Sequence, residues 1–378
     1  MREKITTIFF AALLGAISLV NFLMPDKGFS ENENRYLASR PKFSLQKLFL
    51  GSYTEDFESY ITDQFPARDS WVKLKGQVEL AIGKKDNGSV YFGKDGYLLD
   101  KYSEGTSYEV QLQKNLSYLN SFLERVKNYL PESNVTVMLA PTKEEILQHK
   151  LPDYAVNLNQ GALIDKAIDQ LGYGSFIDLR EALSQVKDEY IYYRTDHHWT
   201  TKGAFEAYRQ WCLHRGLGDR QEDSYEIVEV TDSFLGTTYS KANMQEAIAD
   251  SISLYKPLSN IEYKLNYNYG EYESTSLYEL KYLEGKDKYA LFLKGNNGLI
   301  NIKTSNHNGK RLLIIKDSYA NSFIPFIAND FEEVHVVDLR YGSLSLVNYI
   351  EENNIDELLV LYNIMGFAED RDVVKLLR

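Results

Sequence analysis

The sequence is poor in cysteine, tryptophan, proline and basic charge. Among 378 residues there is one cysteine, Cys212, so no disulfide can form within the chain. Taken alone, that absence points to a reducing compartment. Lysine and arginine number 42 against 54 aspartates and glutamates, and the net charge of −12 leaves no basic face for a phosphate backbone. Nucleic acid is therefore not the expected partner. No internal repeat or low-complexity tract is present, and 44% apolar with 25% charged residues is a globular composition rather than a disordered one. The length allows one large domain or two ordinary ones. Against 3 tryptophans stand 29 tyrosines, whose faces suit sugar rings and equally well the surface of a sheet.

Long apolar runs are also scarce, and the one present is informative. Ile5 to Met24, ITTIFFAALLGAISLVNFLM, has about 20 residues without a charge. As a helix it measures about 30 Å, enough to cross a bilayer core. Arg2 and Lys4 precede it, so by the positive-inside rule the rest of the chain should face out. No small-x-small cleavage site follows, which favours an uncleaved anchor over a removed signal peptide. The expected organisation is a segment 1–24 in the membrane, a juxtamembrane linker and small N-terminal subdomain over 25–105, and an α/β domain over 106–378. The bulk of the chain is then extracytoplasmic on a single-pass anchor, and the missing disulfides suit a Gram-positive-type cell surface.

Apolar periodicity gives the order of elements. Helical spacing covers Val110–Leu130, Gly161–Leu171 and Thr201–His214, with Thr200 or Thr201 as an N-cap. Short buried runs mark strands at Val135–Ala140, Ser175–Asp178, Arg311–Ile315, Glu333–Val337 and Glu357–Leu361. VYFGKDGYLLD reads as a hairpin turning at Asp95-Gly96. Strands alternating with helices predict a parallel sheet with helices on both faces. Residues 216–308 are Tyr-rich and strand-like, a β-rich insertion able to shape a groove. Open parallel sheets carry their chemistry at the carboxyl ends of strands. Three polar groups fall there: Pro141-Thr142-Lys143, Lys316-Asp317-Ser318 and Asp338-Leu339-Arg340-Tyr341.

Two segments offer chemistry. Ser318, in IIKDSYANSF, sits where an apolar strand ends and a helix begins, a place for a nucleophile near helix N–H groups or for an ordinary N-cap serine. TDHHWTTKGAF holds Asp196, His197, His198 and Trp199. In an extended segment residues two apart share a side, so Asp196 can orient His198 as a base while His197 points away. A metal site competes for the same residues, as does plain packing. Metal sites ask for three or four donors, and His149, His214, His307 and His335 are scattered singly, so acid–base work is favoured and no metal is expected. Trp199 is expected to pack beside the imidazole.

TDHHWTTKGAF, with APTKEEIL upstream and IIKDSYANSFIPF downstream, resembles the DHHW protein family, itself similar to the SGNH-hydrolase-like domains of alginate O-acetylation proteins. NRYLASRP near Asn34, DQFPARDSW near Asp63, FLGTTYSKAN near Phe234 and DLRY near Asp338 extend the resemblance over most of the chain after the anchor. The resemblance implies an SGNH-like α/β fold and a triad in which Asp196 orients, His198 is the base and Ser318 attacks. The sequence departs from the usual SGNH pattern at Lys316, where glycine is common, and in lacking obvious oxyanion Gly and Asn blocks. Asn296 in KGNNG and Asn363 in LYNIMG are candidate oxyanion donors. Lys143, Arg340 and Tyr319 are further candidates for substrate contact, with a surface or salt-bridge role as the favoured alternative for Lys143 and Arg340.

The activity so implied is transfer of an acyl group, acetyl above all, to a cell-surface polysaccharide. No cofactor is expected, and a membrane-bound acyl-transferring partner would supply the donor from outside the cytoplasm. A carbohydrate esterase using the same triad, and a non-catalytic glycan-binding scaffold in a synthesis complex, are the rival readings.

Overall fold

The computed structural model describes residues 2–30, 35–102, 106–244 and 247–378. Asn34 and the expected boundary at residue 105 lie outside them. The chain divides into two compact units, residues 1–87 with 239–247 and residues 88–238 with 248–378.

The first unit opens with the helix Arg2–Leu23, within which Lys4–Leu23 is long and apolar enough to cross a membrane and buries none of its length against protein. Helices Ser52–Asp63 and Arg68–Ala81 follow. The segment after the apolar helix is tied to the first of these. Tyr60 donates to Asp26 at 2.8 Å, and the Gln64 amide donates to the carbonyls of Lys27 and Ala38, each at 3.0 Å.

The second unit is built on an eight-stranded sheet. In chain order its strands are β1 (Val135–Ala140), β2 (Ser175–Phe176), β3 (Tyr263–Tyr267), β4 (Tyr272–Ser274), β5 (Leu299–Thr304), β6 (Arg311–Lys316), β7 (Glu333–Val337) and β8 (Glu357–Asn363). Across the sheet they run β4-β3-β5-β7-β6-β8-β1-β2. The central strands β1, β6, β7 and β8 are buried almost throughout, and the period-2 pattern sends their alternate residues to opposite faces. Leu312, Ile314, Leu359 and Leu361 enter one apolar layer, and Leu313, Ile315, Leu358 and Val360 the other. Helices α1 (Thr106–Val126) and α2 (Gln160–Gln170) cover the second layer, and α3 (Thr201–His214) covers the first. In α3, Ala204, Phe205, Tyr208, Trp211 and Cys212 recur at helical spacing and are fully or almost fully buried. A large apolar side chain buried this way contributes about 1.5–3 kcal/mol, so that face, more than propensity, holds the helix. Thr200 caps it by accepting from Gly203 N at 3.3 Å.

The sheet is mixed, which corrects the parallel sheet expected from the sequence. β7, β6, β8, β1 and β2 are parallel, whereas β5, β3 and β4 pair antiparallel. The antiparallel strands come from the β-rich 216–308 region. There β3 and β4 are joined by a turn with no crossover helix, and parallel pairing needs a crossover of about a dozen residues or more. Of the described strands in that region, the hairpin Tyr225–Phe234 with Asp250–Pro257 stays outside the sheet. The hairpin Val90–Phe92 with Leu98–Asp100 forms where the Asp95-Gly96 turn predicts it. All the parallel strands end on one edge, so Lys316, Asn363, Asp338 and Thr142 gather there.

Candidate active site

β6 ends in a sharp turn held by Asp317. One carboxylate oxygen accepts from Tyr319 N at 2.9 Å, and the other from Asn363 N at 3.0 Å and Asn363 Nδ2 at 2.6 Å. Asp317 thus caps the short helix Ser318–Ser322 and ties the end of β6 to the end of β8. Because the cap is Asp317, the Ser318 hydroxyl is released from capping. It lies half-buried, 2.7 Å from Nε2 of His198.

His198 comes from a tight loop between the bridged residues Tyr192 and Trp199. Asp196 Oδ1 accepts from His198 N at 3.0 Å and from His198 Nδ1 at 2.6 Å, so a single carboxylate oxygen fixes both the backbone and the ring. With Nδ1–H donating to Asp196, Nε2 is the acceptor facing Ser318. Asp196 Oδ2 accepts from Thr237 N at 2.8 Å and Thr237 Oγ1 at 3.0 Å. Burial by itself would raise this carboxyl. The charges of His198 and His197 and the hydrogen bonds from His198 and Thr237 outweigh it, holding Asp196 well below the usual carboxylate range. The ring of His198 is stacked on Tyr289, centroids 3.8 Å apart and planes 11° from parallel. Tyr289 OH donates to the Ser318 carbonyl at 3.1 Å, so one side chain braces base and serine together.

His197 does not point away from the pair, as an extended segment would require. The hydrogen bond from His198 N to Asp196 curls the chain, and the two imidazoles lie 3.8 Å apart, tilted by 38°. Thr237 Oγ1 spends its proton on Asp196, so it accepts from His197 Nδ1 at 2.6 Å. Trp199 is fully buried and donates to the Tyr319 carbonyl at 2.9 Å and to Ser322 Oγ at 3.1 Å. Asp196, His197 and His198 are close enough together to share an ion, their ligand atoms lying within 4.8 Å. Both oxygens of Asp196 and both nitrogens of His198 are engaged with each other, Thr237 and Ser318.

The other sequence candidates divide between support and surface. Lys143 is fully buried, and its Nζ donates to the Asp196 carbonyl at 2.8 Å and the Tyr193 carbonyl at 3.3 Å, leaving it no reach to a ligand. Tyr319 is buried, and its hydroxyl donates to the His197 carbonyl at 2.6 Å. Asn363 is spent on Asp317 and, through Oδ1, on Gly366 N at 2.7 Å. A Cβ on Gly366 would lie 2.7 Å from Asp317 Oδ2, which accounts for the glycine in LYNIMG. Lys316 is fully buried among Asn321 Oδ1 at 2.7 Å, Asn296 Oδ1 at 3.1 Å and Asp338 Oδ2 at 3.3 Å. Burial lowers its pKa, and Asp338 opposes that shift. Arg340 grips Asp338 with Nε at 2.9 Å and Nη2 at 2.6 Å, the salt-bridge role. Asn296 is half-buried with its oxygen held by Lys316 and by Asn321 Nδ2 at 3.2 Å.

Sequence reasoning missed three residues. Thr237 and Gly236 lie in FLGTTYSKAN, where Gly-Thr before a helix is the signal that was there to find. Tyr289, in an irregular stretch, gives none. An alanine Cβ at Gly236 would fall 2.3 Å from both Cβ and Oδ2 of Asp196. Gly236→Ala is therefore expected to displace the carboxylate, lowering turnover about 100-fold and stability by about 1–3 kcal/mol. Ester hydrolysis rates and denaturant unfolding of the same preparation check both numbers.

Comparison with known proteins gives family and fold matches. Residues 167–337 match the DHHW protein family. Residues 90–230 match the SGNH hydrolase-like domain of the acetyltransferase AlgX. The chain resembles a DHHW family protein of Eubacterium siraeum, whose crystal structure superposes with a TM-score of 0.64 at 25% identity, over 76% of this chain and 93% of that one. PatB1 of Bacillus cereus superposes with a TM-score of 0.63 at 21% identity, over 74% of this chain and 97% of that one, and shares the fold. No curated protein is a significant match to the chain.

Proposed function

We propose that this DHHW-like protein is an O-acyltransferase, acetyl being the group moved, which works outside the cytoplasm on a cell-surface polysaccharide. The observation that carries the reading is the continuous chain from Ser318 Oγ to His198 Nε2 at 2.7 Å and from His198 Nδ1 to Asp196 at 2.6 Å, at the carboxyl edge of the sheet. The match of residues 90–230 to an acetyltransferase domain supports the chemistry. The apolar helix Lys4–Leu23 supports the location.

In the first half-reaction Ser318 Oγ attacks the carbonyl carbon of the acyl donor while His198 Nε2 takes the hydroxyl proton. Asp196 stabilises the imidazolium without accepting that proton. Ser318 N–H has no acceptor among the described residues and is the donor for the oxyanion. The tetrahedral intermediate expels the leaving group, which receives the proton from His198, and an acyl-serine ester remains. In the second half a sugar hydroxyl gives its proton to His198 and attacks the ester. Ser318 then leaves with that proton, and the enzyme is restored. The donor is delivered across the bilayer by a membrane-bound acyl-handling partner, and the chain needs no cofactor of its own.

The test is intact mass of the full-length chain in nonionic detergent after exposure to p-nitrophenyl acetate. A structure of PatB1 carries a sulfonyl adduct, so phenylmethanesulfonyl fluoride serves as a second probe. One acetyl mapped to Ser318, absent from Ser318→Ala and released faster by polysaccharide than by buffer, is the expected result. Release by water alone makes the protein an esterase. A folded protein that takes neither label is no acyl-enzyme former, and the scaffold reading replaces this one.

A further inference from the structure

The outer face of β3 and β5 is polar for a reason the core does not supply. Leu265, Tyr267, Ile300 and Ile302 point into the apolar layer, so the alternate residues Lys264, Asn266, Asn301 and Lys303 face outward. An outward polar face is ordinarily just solvated. Here it is walled by the helix Leu346–Glu352 and forms the floor of a cavity of about 700 Å³. A second cavity of about 440 Å³ shares Tyr269, Leu299 and Leu344 with the first and reaches Asn296 and Tyr341. Asn296 is hydrogen-bonded to Lys316, two residues before Ser318, so one end of the trough is a single hydrogen bond from the strand that leads into the serine turn.

Two tyrosines mark its course. Tyr269 is 74% exposed at the tip of the β3–β4 turn and is held at φ +63°, with Asn268 before it at +45°. A bulky residue in the left-handed region is strained and persists where the surrounding structure fixes it. Tyr341 is 60% exposed, with the Arg340 guanidinium 5.5 Å from its ring centre. An exposed aromatic face pairs with the C–H face of a pyranose, while amide side chains donate to and accept from its hydroxyls. Asn266 and Asn348 supply such amides along the wall. Lys264 and Lys303 are outnumbered by Glu273, Glu352 and, in the second cavity, Glu271, so the trough has no positive charge with which to select a polyanion.

We propose that this trough binds an uncharged polysaccharide chain, with Tyr341 and Tyr269 as stacking platforms that hold sugar units leading from the acceptor at Ser318. The proposal rests on the acyltransferase reading for its substrate class, and its test is independent of turnover. Full-length protein in nonionic detergent is run through native gels containing glycol chitin, hydroxyethylcellulose or dextran. At least one polymer should retard the wild type, and the Tyr269→Ala/Tyr341→Ala double variant should bind it at least tenfold more weakly. Tyr154→Ala, which removes a still more exposed tyrosine outside the trough, should bind as the wild type does. Thermal unfolding of each variant confirms the fold, since both trough tyrosines are largely exposed. No retardation by any of the three polymers, or equal retardation of the double variant, overturns the trough. Acylation of Ser318 without tyrosine-dependent retardation removes the trough alone. Tyrosine-dependent retardation without acylation removes acyl transfer and leaves the binding site.

Discussion

Replacing His198 with alanine is expected to lower acyl turnover by about 10⁶-fold, as much as loss of the Ser318 hydroxyl itself. A serine hydroxyl at neutral pH is a poor nucleophile until a base takes its proton, and His198 Nε2 is the only side-chain atom bonded to Ser318 Oγ among the described residues. Asp196→Asn should cost less, about 10⁴-fold, because an amide can still hold the ring but favours the wrong tautomer. Burst kinetics with p-nitrophenyl acetate measure all three losses, and near-wild-type turnover in His198→Ala would sink the assignment. Asp196 also ties the site to stability. Its carboxyl is held below the usual range in the folded chain, so it adds stability above the unfolded value of about 4, and that contribution is lost as pH falls through the lower folded value. Asp196→Asn removes that contribution. Its stability deficit against the wild type should therefore be full at neutral pH and shrink below about pH 4, as read by denaturant unfolding across that range.

The sequence carried the scaffold and the residues of the candidate site for a physical reason. Strands such as β6 and β8 are buried on both faces, which leaves unbroken apolar runs, and α3 buries one face at regular spacing. Both are local patterns. Asp196 and His198 were legible because their spacing is two and their chemistry is explicit, although the loop that joins them is curled rather than extended. The antiparallel β3–β5 block was misread because strand direction depends on how the connections run in space, which apolar runs do not record. Tyr289 was out of reach for a similar reason. It lies 91 residues from His198 in the chain, in a stretch with neither helical nor strand period, and only the fold stacks it on the imidazole. Lys143 was placed in the right neighbourhood, after a strand at the carboxyl edge, with a role the sequence does not show. A lysine there reads as a charge for a ligand, and burial alone reveals that it faces inward.

That inward lysine gives a prediction of comparable size. Lys143→Met keeps the length and apolar stem of the side chain and removes only the amine. The Asp196 carbonyl, bonded to Nζ at 2.8 Å, and the Tyr193 carbonyl, bonded at 3.3 Å, would then lose this donor in the interior. The neighbouring Glu144 carboxylate is also buried, accepts from Asp100 N at 2.7 Å, and would lose the nearby positive charge that opposes its desolvation. Methionine offsets part of this, because it no longer pays to bury an ammonium group. The balance is an expected loss of about 3 kcal/mol in denaturant unfolding. Freed from the amine, the Asp196 backbone loosens, and a displacement near 1 Å at the carboxylate lowers kcat about 100-fold. The pattern of the two losses decides what Lys143 does. A lysine that holds the Asp196 loop lowers stability and kcat together and leaves KM near its wild-type value. A lysine that meets an anionic ligand instead raises KM, with unfolding unchanged.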